Sequence, residues 1–287
     1  MANYKIITDS ACDLPRAMLQ QLDVQTVALH VLFKGVNMED SVDVGLKEIY
    51  AGLREGEKTS TSAVNPEGWA DAIRPALENG QDALVLAFSS GLSTTYQSAV
   101  IAAEELMEAF PGRTVRVVDT LCAALGQGLL VWYACKQRDA GSSLEELTAW
   151  CEENKHHICH WVTVDDLMYL KRGGRISATT AVVGTMLQIK PIIHVDESGH
   201  LVNVGKARGR KAAMSTLVKK LEELGEGYDN STVFICHGDC LEEAQQLQEM
   251  VQQCAGVKEV FVGNLGAVIG SHAGPGTLAL FFLGKHK

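Results

Sequence analysis

The chain has 287 residues, 46% of them hydrophobic and 21% charged, which is the composition of a globular protein long enough for two domains. A formal charge of -10 argues against general affinity for nucleic acid or anionic membrane, because both demand a cationic surface. The start, Met1-Ala2-Asn3-Tyr4-Lys5, carries no long apolar segment and no cleavage-site pattern. The longest apolar runs, such as residues 278–283, fall far short of the roughly 20 residues that span a bilayer. The expectation is a cytoplasmic protein without stable membrane insertion.

In the first half, apolar runs of strand length occupy residues 5–8, 24–31, 83–88 and 114–119, and helical spacing covers 67–78, 96–109 and 123–140. Strands alternating with helices predict a parallel sheet covered on both faces, so residues 1–155 are assigned to an N-terminal α/β domain. Three polar segments punctuate it. Thr8-Asp9-Ser10-Ala11-Cys12-Asp13-Leu14-Pro15 follows the first strand, with Asp13 expected as the N-cap of a helix that takes Pro15 early. Asp9 there is either a turn or cap residue or part of a site lining.

Thr59-Ser60-Thr61-Ser62-Ala63-Val64-Asn65-Pro66 reads as a turn in which Asn65 caps the helix opened by Pro66, with more hydroxyls than capping needs. Ser89-Ser90-Gly91-Leu92-Ser93-Thr94-Thr95 lies at the carboxyl end of a buried strand, where open α/β sheets bind ligands, and a helix amino terminus follows at once. The turn offers donors and no charge. It predicts an anionic or carbonyl-bearing small molecule held by hydrogen bonds, although capping is the alternative for any single hydroxyl.

In the second half, strands are expected at 161–164, 189–195, 201–204, 232–236 and 257–262, and helices at 179–187, 212–224 and 242–254. Asp196-Glu197-Ser198-Gly199-His200 joins two of these strands as an antiparallel hairpin. Residues 156–287 therefore form a C-terminal mixed α+β domain, with no low-complexity linker before it. Eight cysteines without a Cys-x-x-Cys pair read as buried or incidental thiols rather than a disulfide framework. His156-His157-Ile158-Cys159-His160 crowds ligand-type side chains but has no matching second cluster, so a solvated helix end is preferred to a metal site. No metal or cofactor is expected.

Two basic segments, Lys171-Arg172-Gly173-Gly174-Arg175 and Lys206-Ala207-Arg208-Gly209-Arg210-Lys211, are open to three readings: phosphate site, docking surface or solvated loop. Neither matches a Walker loop or a Rossmann fingerprint, and no Gly-x-Ser-x-Gly nucleophile is present. The segment from Gly263 to Gly276 holds seven glycines and alanines, and its glycines permit close backbone approach around His272. That setting favours a site histidine over a structural one.

The order of these motifs resembles the DegV family: Thr8-Asp9-Ser10, then Thr61-Ser62-Ala63-Val64-Asn65-Pro66, Ser89 to Gln97, Leu170-Lys171-Arg172-Gly173-Gly174-Arg175-Ile176, Lys190-Pro191-Ile192 and Gly270-Ser271-His272-Ala273-Gly274-Pro275-Gly276. The resemblance covers essentially the whole chain. It implies a two-domain α/β protein that binds one long-chain fatty acid between its domains and presents the carboxylate to a separate ATP-dependent fatty acid kinase subunit, feeding acyl phosphate to phospholipid synthesis. By motif match, Thr61, Ser62, Ser93, Thr94 and His272 bind the carboxylate, and Arg172 and Arg175 dock the kinase partner. The chain departs from the family at Ala63-Val64-Asn65, where Gln-Pro-Ser is common, and at Thr94, where glycine is common; both changes bear on head-group geometry and acyl choice. Apolar residues in 178–193 and 277–283 are candidates for the acyl tunnel, with ordinary core as the alternative. The competing function is a hydrolase or acyltransferase using Ser93 and His272, for which Asp9 is the available orienting acid.

Overall fold

The computed structural model describes residues 3–43, 45–177 and 188–287. The chain begins with β1 (Tyr4–Asp9), a 3-10 turn (Ser10–Cys12), α1 (Arg16–Gln21), β2 (Val24–Val27), β3 (His30–Phe33), β4 (Val36–Glu39) and α2 (Leu46–Arg54). Next come β5 (Thr59–Ser62), α3 (Pro66–Glu78), β6 (Asp82–Ala87), α4 (Thr95–Ala109), β7 (Val115–Asp119), α5 (Ala124–Asp139) and α6 (Leu144–Asn154). The remainder is β8 (Ile158–Thr163), α7 (Met168–Arg172), β9 (Ile189–Val195), β10 (Leu201–Arg208), α8 (Arg210–Leu224), β11 (Thr232–His237), α9 (Leu241–Val251), β12 (Glu259–Asn264), α10 (Ala267–Ala273) and β13 (Leu278–Leu283).

The first sheet is wholly parallel, in the order β2-β1-β6-β7. Successive side chains of a strand point to opposite faces. Ile6, Leu84 and Leu86 therefore pack with α5 and α6, while Ile7, Ala83 and Val85 pack with α3 and α4. Burial on both faces is why these strands read as unbroken apolar runs.

The six-stranded sheet, β10-β9-β8-β13-β11-β12, is antiparallel except for the β11–β12 pair. The expected hairpin is present, with Leu201 opposite Val195. No strand had been expected over 278–283, yet β13 lies near the centre of this sheet, between β8 and β11. Its alternate residues divide: Ala279 and Phe281 face α5, whereas Leu278, Leu280 and Phe282 face α8 and α9. Helix α5 packs on β8, β11 and β13 and also on the 3-10 turn after β1 and on α6, and one continuous apolar cluster joins Ile6 and Leu84 to Phe234 and Phe281.

Four local expectations are corrected. The run 24–31 is two strands, because the Leu29 N–H donates to Ser10 Oγ (3.0 Å) and the chain turns out of the parallel sheet there. Residues 59–62 form strand β5 rather than a turn, pairing antiparallel with β3 in a small sheet of order β4-β3-β5. Asp13 does not cap a helix: at φ 54° it closes the 3-10 turn, and α1 starts only after Pro15. The glycine-rich segment, to which the sequence pattern assigns no helix, contains helix α10. Asn65 does cap α3, accepting from the Gly68 N–H at 2.8 Å, and Pro66 is the first helical residue. The helix expected at 179–187 lies outside the described residues.

Candidate functional site

A cavity of about 510 Å³ lies where the loops at the carboxyl end of the parallel sheet meet β5, α10 and the inner face of β8, β9 and β13. Its size is within the usual range for small-molecule sites, about 300–1,000 Å³. Thr61, Ser62, Ser93, Thr94 and His272 all line it. The sheet side is apolar, contributed by Val162, Ile193, Ala279 and Phe281. Of the stretches offered for an acyl tunnel, 178–187 lies outside the described residues, and the rest divides by strand periodicity, with Ile193, Ala279 and Phe281 on the cavity and Ile192, Leu280 and Phe282 in the opposite core.

Register places Thr61 opposite Val31 on β3, and the last turn of α10 carries His272 to it. Thr61 Oγ1 and His272 Nε2 are 2.8 Å apart. Burial, aided by the Arg175 charge, pushes the His272 imidazole down to about 4. It is therefore neutral near pH 7, and with the proton on Nε2 the ring donates to Thr61 and leaves the threonine hydroxyl hydrogen for a ligand oxygen. Gly173 is what lets the ring sit there: an ideal Cβ on it would stand 2.3 Å from His272 Nδ1.

On the facing wall, Ser93 Oγ accepts from the Thr95 N–H (3.2 Å) and pairs with Thr95 Oγ1 (2.8 Å). Ser93 therefore serves the amino terminus of α4 as well as lining the cavity, while exposed Thr94 makes no capping bond. Bonds from neighbouring segments fix this turn. The Phe88 N–H donates to Asp9 Oδ2 (2.7 Å), the Ser90 N–H donates to Asp119 Oδ1 (3.1 Å), and Ser89 Oγ donates to the Gly199 carbonyl of the β9–β10 hairpin (2.9 Å).

The turn itself lacks charge, but the assembled site does not. Arg175 is half-buried, lines the cavity and donates through Nε to the Leu92 carbonyl at 3.1 Å. The expectation of donors without charge thus holds for the turn alone, and Arg175, offered as a docking residue, lies in the cavity lining. Arg172 is exposed, stacks over Tyr169 at 4.6 Å and is not part of the lining. In the second basic segment, Arg210 is ion-paired with Asp165 (3.6 Å) and Glu243 (3.4 Å), whereas Lys206 and Arg208 are exposed on the edge strand β10.

Asp9 is not assembled into a triad. Its carboxylate accepts from Phe88 N–H, Ala11 N–H (3.1 Å) and Gln127 Nε2 (3.2 Å), and burial pushes it up to about 7. The histidine-rich segment is also dispersed. His156 reaches Glu197 (3.0 Å), His157 the Gly284 carbonyl (2.9 Å), and His160 turns inward, accepting from the Ala123 N–H (3.2 Å). Among the described residues no group of three or more His, Cys, Asp or Glu is arranged for a metal ion, and all eight cysteines are free.

His160 also lines the cavity, which its position in the crowded segment did not reveal. Two tyrosines were missed entirely. Ideal Cβ atoms on Gly270 and Gly274 would stand 2.4 Å from the Tyr50 hydroxyl and 2.5 Å from the Tyr169 ring, so these glycines seat α10 against aromatic side chains rather than against a ligand. The four-residue spacing of the two glycines was the available signal.

A family model described as "Uncharacterised protein, DegV family" matches residues 3–285. A DegV domain-containing protein of Clostridium perfringens is 45% identical over 289 residues, covering 100% of this chain and 99% of that one. Among solved structures, a DegV family protein from Thermus thermophilus described for its fatty acid binding has 35% identity and a TM-score of 0.89, covering 98% of this chain and 99% of its own. A stearic acid-binding protein from Eubacterium ventriosum has 26% identity and a TM-score of 0.85, with 98% of each chain covered. With matches that run the length of the chain in sequence and in fold, this protein belongs to the DegV family.

Proposed function

We propose that this protein binds one long-chain fatty acid in the 510 Å³ cavity, with the carboxylate at Thr61, Ser62, Ser93, Thr94 and His272 and the tail along β8, β9 and β13. The observation that carries this reading is the pairing of a hydroxyl-lined mouth, organised by the Thr61–His272 contact, with an apolar sheet face. Fatty acid binding by structural relatives supports it. Roughly fifteen buried methylenes at ~0.8 kcal/mol each provide a gross ~12 kcal/mol, enough to drive binding after association costs. The head group then needs orientation, which hydroxyls supply, and Arg175 adds a favourable field at close range.

The finer reading is that the protein has no chemistry of its own and acts in the cytoplasm. There it presents the carboxylate to a separate ATP-dependent kinase subunit, whose acyl phosphate product enters phospholipid synthesis. Residues 1–155 and 156–287 would be the two domains flanking the ligand, and exposed Arg172 the partner contact. A stand-alone hydrolase or acyltransferase is not favoured, because Ser93 Oγ is engaged by Thr95, His272 Nε2 by Thr61, and Asp9 by other donors.

Mass spectrometry of the denatured, purified protein tests the binding reading. Release of one equivalent of a long-chain fatty acid is expected, and a protein that neither releases nor takes up palmitate or oleate overturns it. Charge reversal at Arg172 should weaken kinase association while palmitate affinity is retained; loss of lipid binding instead would make Arg172 structural.

A further inference from the structure

Thr8-Asp9-Ser10 contributes nothing to the cavity lining, yet its polar atoms are tied to both walls of the head-group site. Asp9 Oδ2 takes the Phe88 N–H at 2.7 Å, at the root of the turn that carries Ser93. Ser10 Oγ donates to Asp40 Oδ2 at 2.9 Å and accepts from the N–H of Leu29, a cavity residue, at 3.0 Å. Asp40 in turn accepts from the Val268 N–H at 2.9 Å, in the first turn of α10, the helix that carries His272. Gly266, just before α10, completes the seat: an ideal Cβ there would stand 2.4 Å from Asp13 Oδ1 and 3.3 Å from Asp40 Oδ1.

We infer that Ser10 is a positioning residue for the head-group site, acting through Asp40 and helix α10 on His272. The inference rests on the fatty acid reading above. Ser10 is 30 residues from Asp40 in sequence, and Asp40 is 228 from Val268, so the chain of bonds joins three separate segments to one helix end. A helix of seven residues has little intrinsic stability, and its orientation is set by what grips its ends. Gly270 and Gly274 fix how closely α10 packs, whereas the Asp40 bond fixes its first turn. Asp40 is only 6% exposed and Ser10 half-buried, so a lost partner leaves the Asp40 carboxyl group largely shielded from water.

The test is palmitate affinity for Ser10→Ala and Ser10→Thr, each in the wild-type background and with His272→Ala, with the ring 15N resonance of His272 read in the ligand-free protein. Ser10→Ala should weaken palmitate binding about tenfold. Ser10→Thr should restore affinity, Ser10→Ala should cost less than about twofold once His272 is gone, and the His272 Nε2 resonance should shift in Ser10→Ala. Should Ser10→Ala fail to fold, Asp40→Asn takes its place, with an expected loss of about threefold. Affinity within twofold of wild type, an equal loss in both backgrounds, or an unmoved His272 resonance would each overturn the inference. A wild-type protein that binds no fatty acid would instead sink the ligand reading, and the ligand-free resonance would still decide the positioning role.

Discussion

The two walls of the candidate head-group site are rigid for different reasons. The Ser89–Thr95 wall is a loop whose backbone N–H groups are gripped by buried or half-buried carboxylates, Asp9 on Phe88 and Asp119 on Ser90. The α10 wall is a short helix with one such carboxylate, Asp40 on Val268, at its first turn, and beyond that turn it is held by shape, with Tyr50 against Gly270 and Tyr169 against Gly274. A hydrogen-bonded wall tolerates isosteric change that preserves the acceptor. A wall held by contact tolerates almost none.

Gly274→Ala should therefore produce the largest effect. The backbone there has φ 83°, and the new methyl group would meet the Tyr169 ring, so stability should fall by on the order of 3 kcal/mol, measured by urea unfolding. A wild-type midpoint would break the comparison. His272→Ala should weaken palmitate binding about thirtyfold and Thr61→Val about tenfold, as a half-buried hydrogen-bonding pair is dismantled from either side. If calorimetry found neither change, Thr61 and His272 would belong to the scaffold alone.

Smaller effects should come from the loop wall. Asp119→Ala removes the acceptor of both Ser90 N–H and Leu121 N–H and should cost about 1.5 kcal/mol, whereas Asp119→Asn, which keeps an oxygen there, should stay within about 0.5 kcal/mol. Equal losses for the two variants would show that charge, not acceptor geometry, fixes the turn. The subtlest test is acid titration. His272 is depressed when folded, so its contribution to stability is complete above its unfolded value near 6.5 and is lost as pH falls through about 4. His272→Gln should therefore reduce the acid sensitivity of unfolding between pH 6.5 and 4. Asp9 and Asp40, raised to about 7 and about 6, act oppositely: their stabilising protonated forms are lost as pH rises through those values.

Much of this architecture was readable in the residues because periodicity reports burial. The strands at Asp82–Ala87 and Ile189–Val195 and the helix at Pro66–Glu78 lie where apolar spacing put them. Thr61, Ser93 and His272 stood out as polar groups among turn and glycine signals, and the fold brings all three to one cavity. Residues 59–62 misled because hydroxyl side chains serve turns and exposed edge strands equally well. The 24–31 break was hidden because its cause, Ser10 Oγ on the Leu29 N–H, comes from another segment. Tyr50 and Tyr169 carried no local mark at all. Their importance lies in the glycines they meet about 220 and 105 residues away, a pairing that only the tertiary fold creates.

Strand β13 has a consequence for how the cavity comes into being. Leu278–Leu283 is inserted between β8, made more than a hundred residues earlier, and β11, so a sheet that lacks it is split in two. Ala279 and Phe281 of that same strand form cavity wall. Pairings this distant form late, since the connecting chain must first be closed into a loop. A nascent chain whose residues 278–283 are still within the ribosome thus lacks the part of the cavity wall that Ala279 and Phe281 supply.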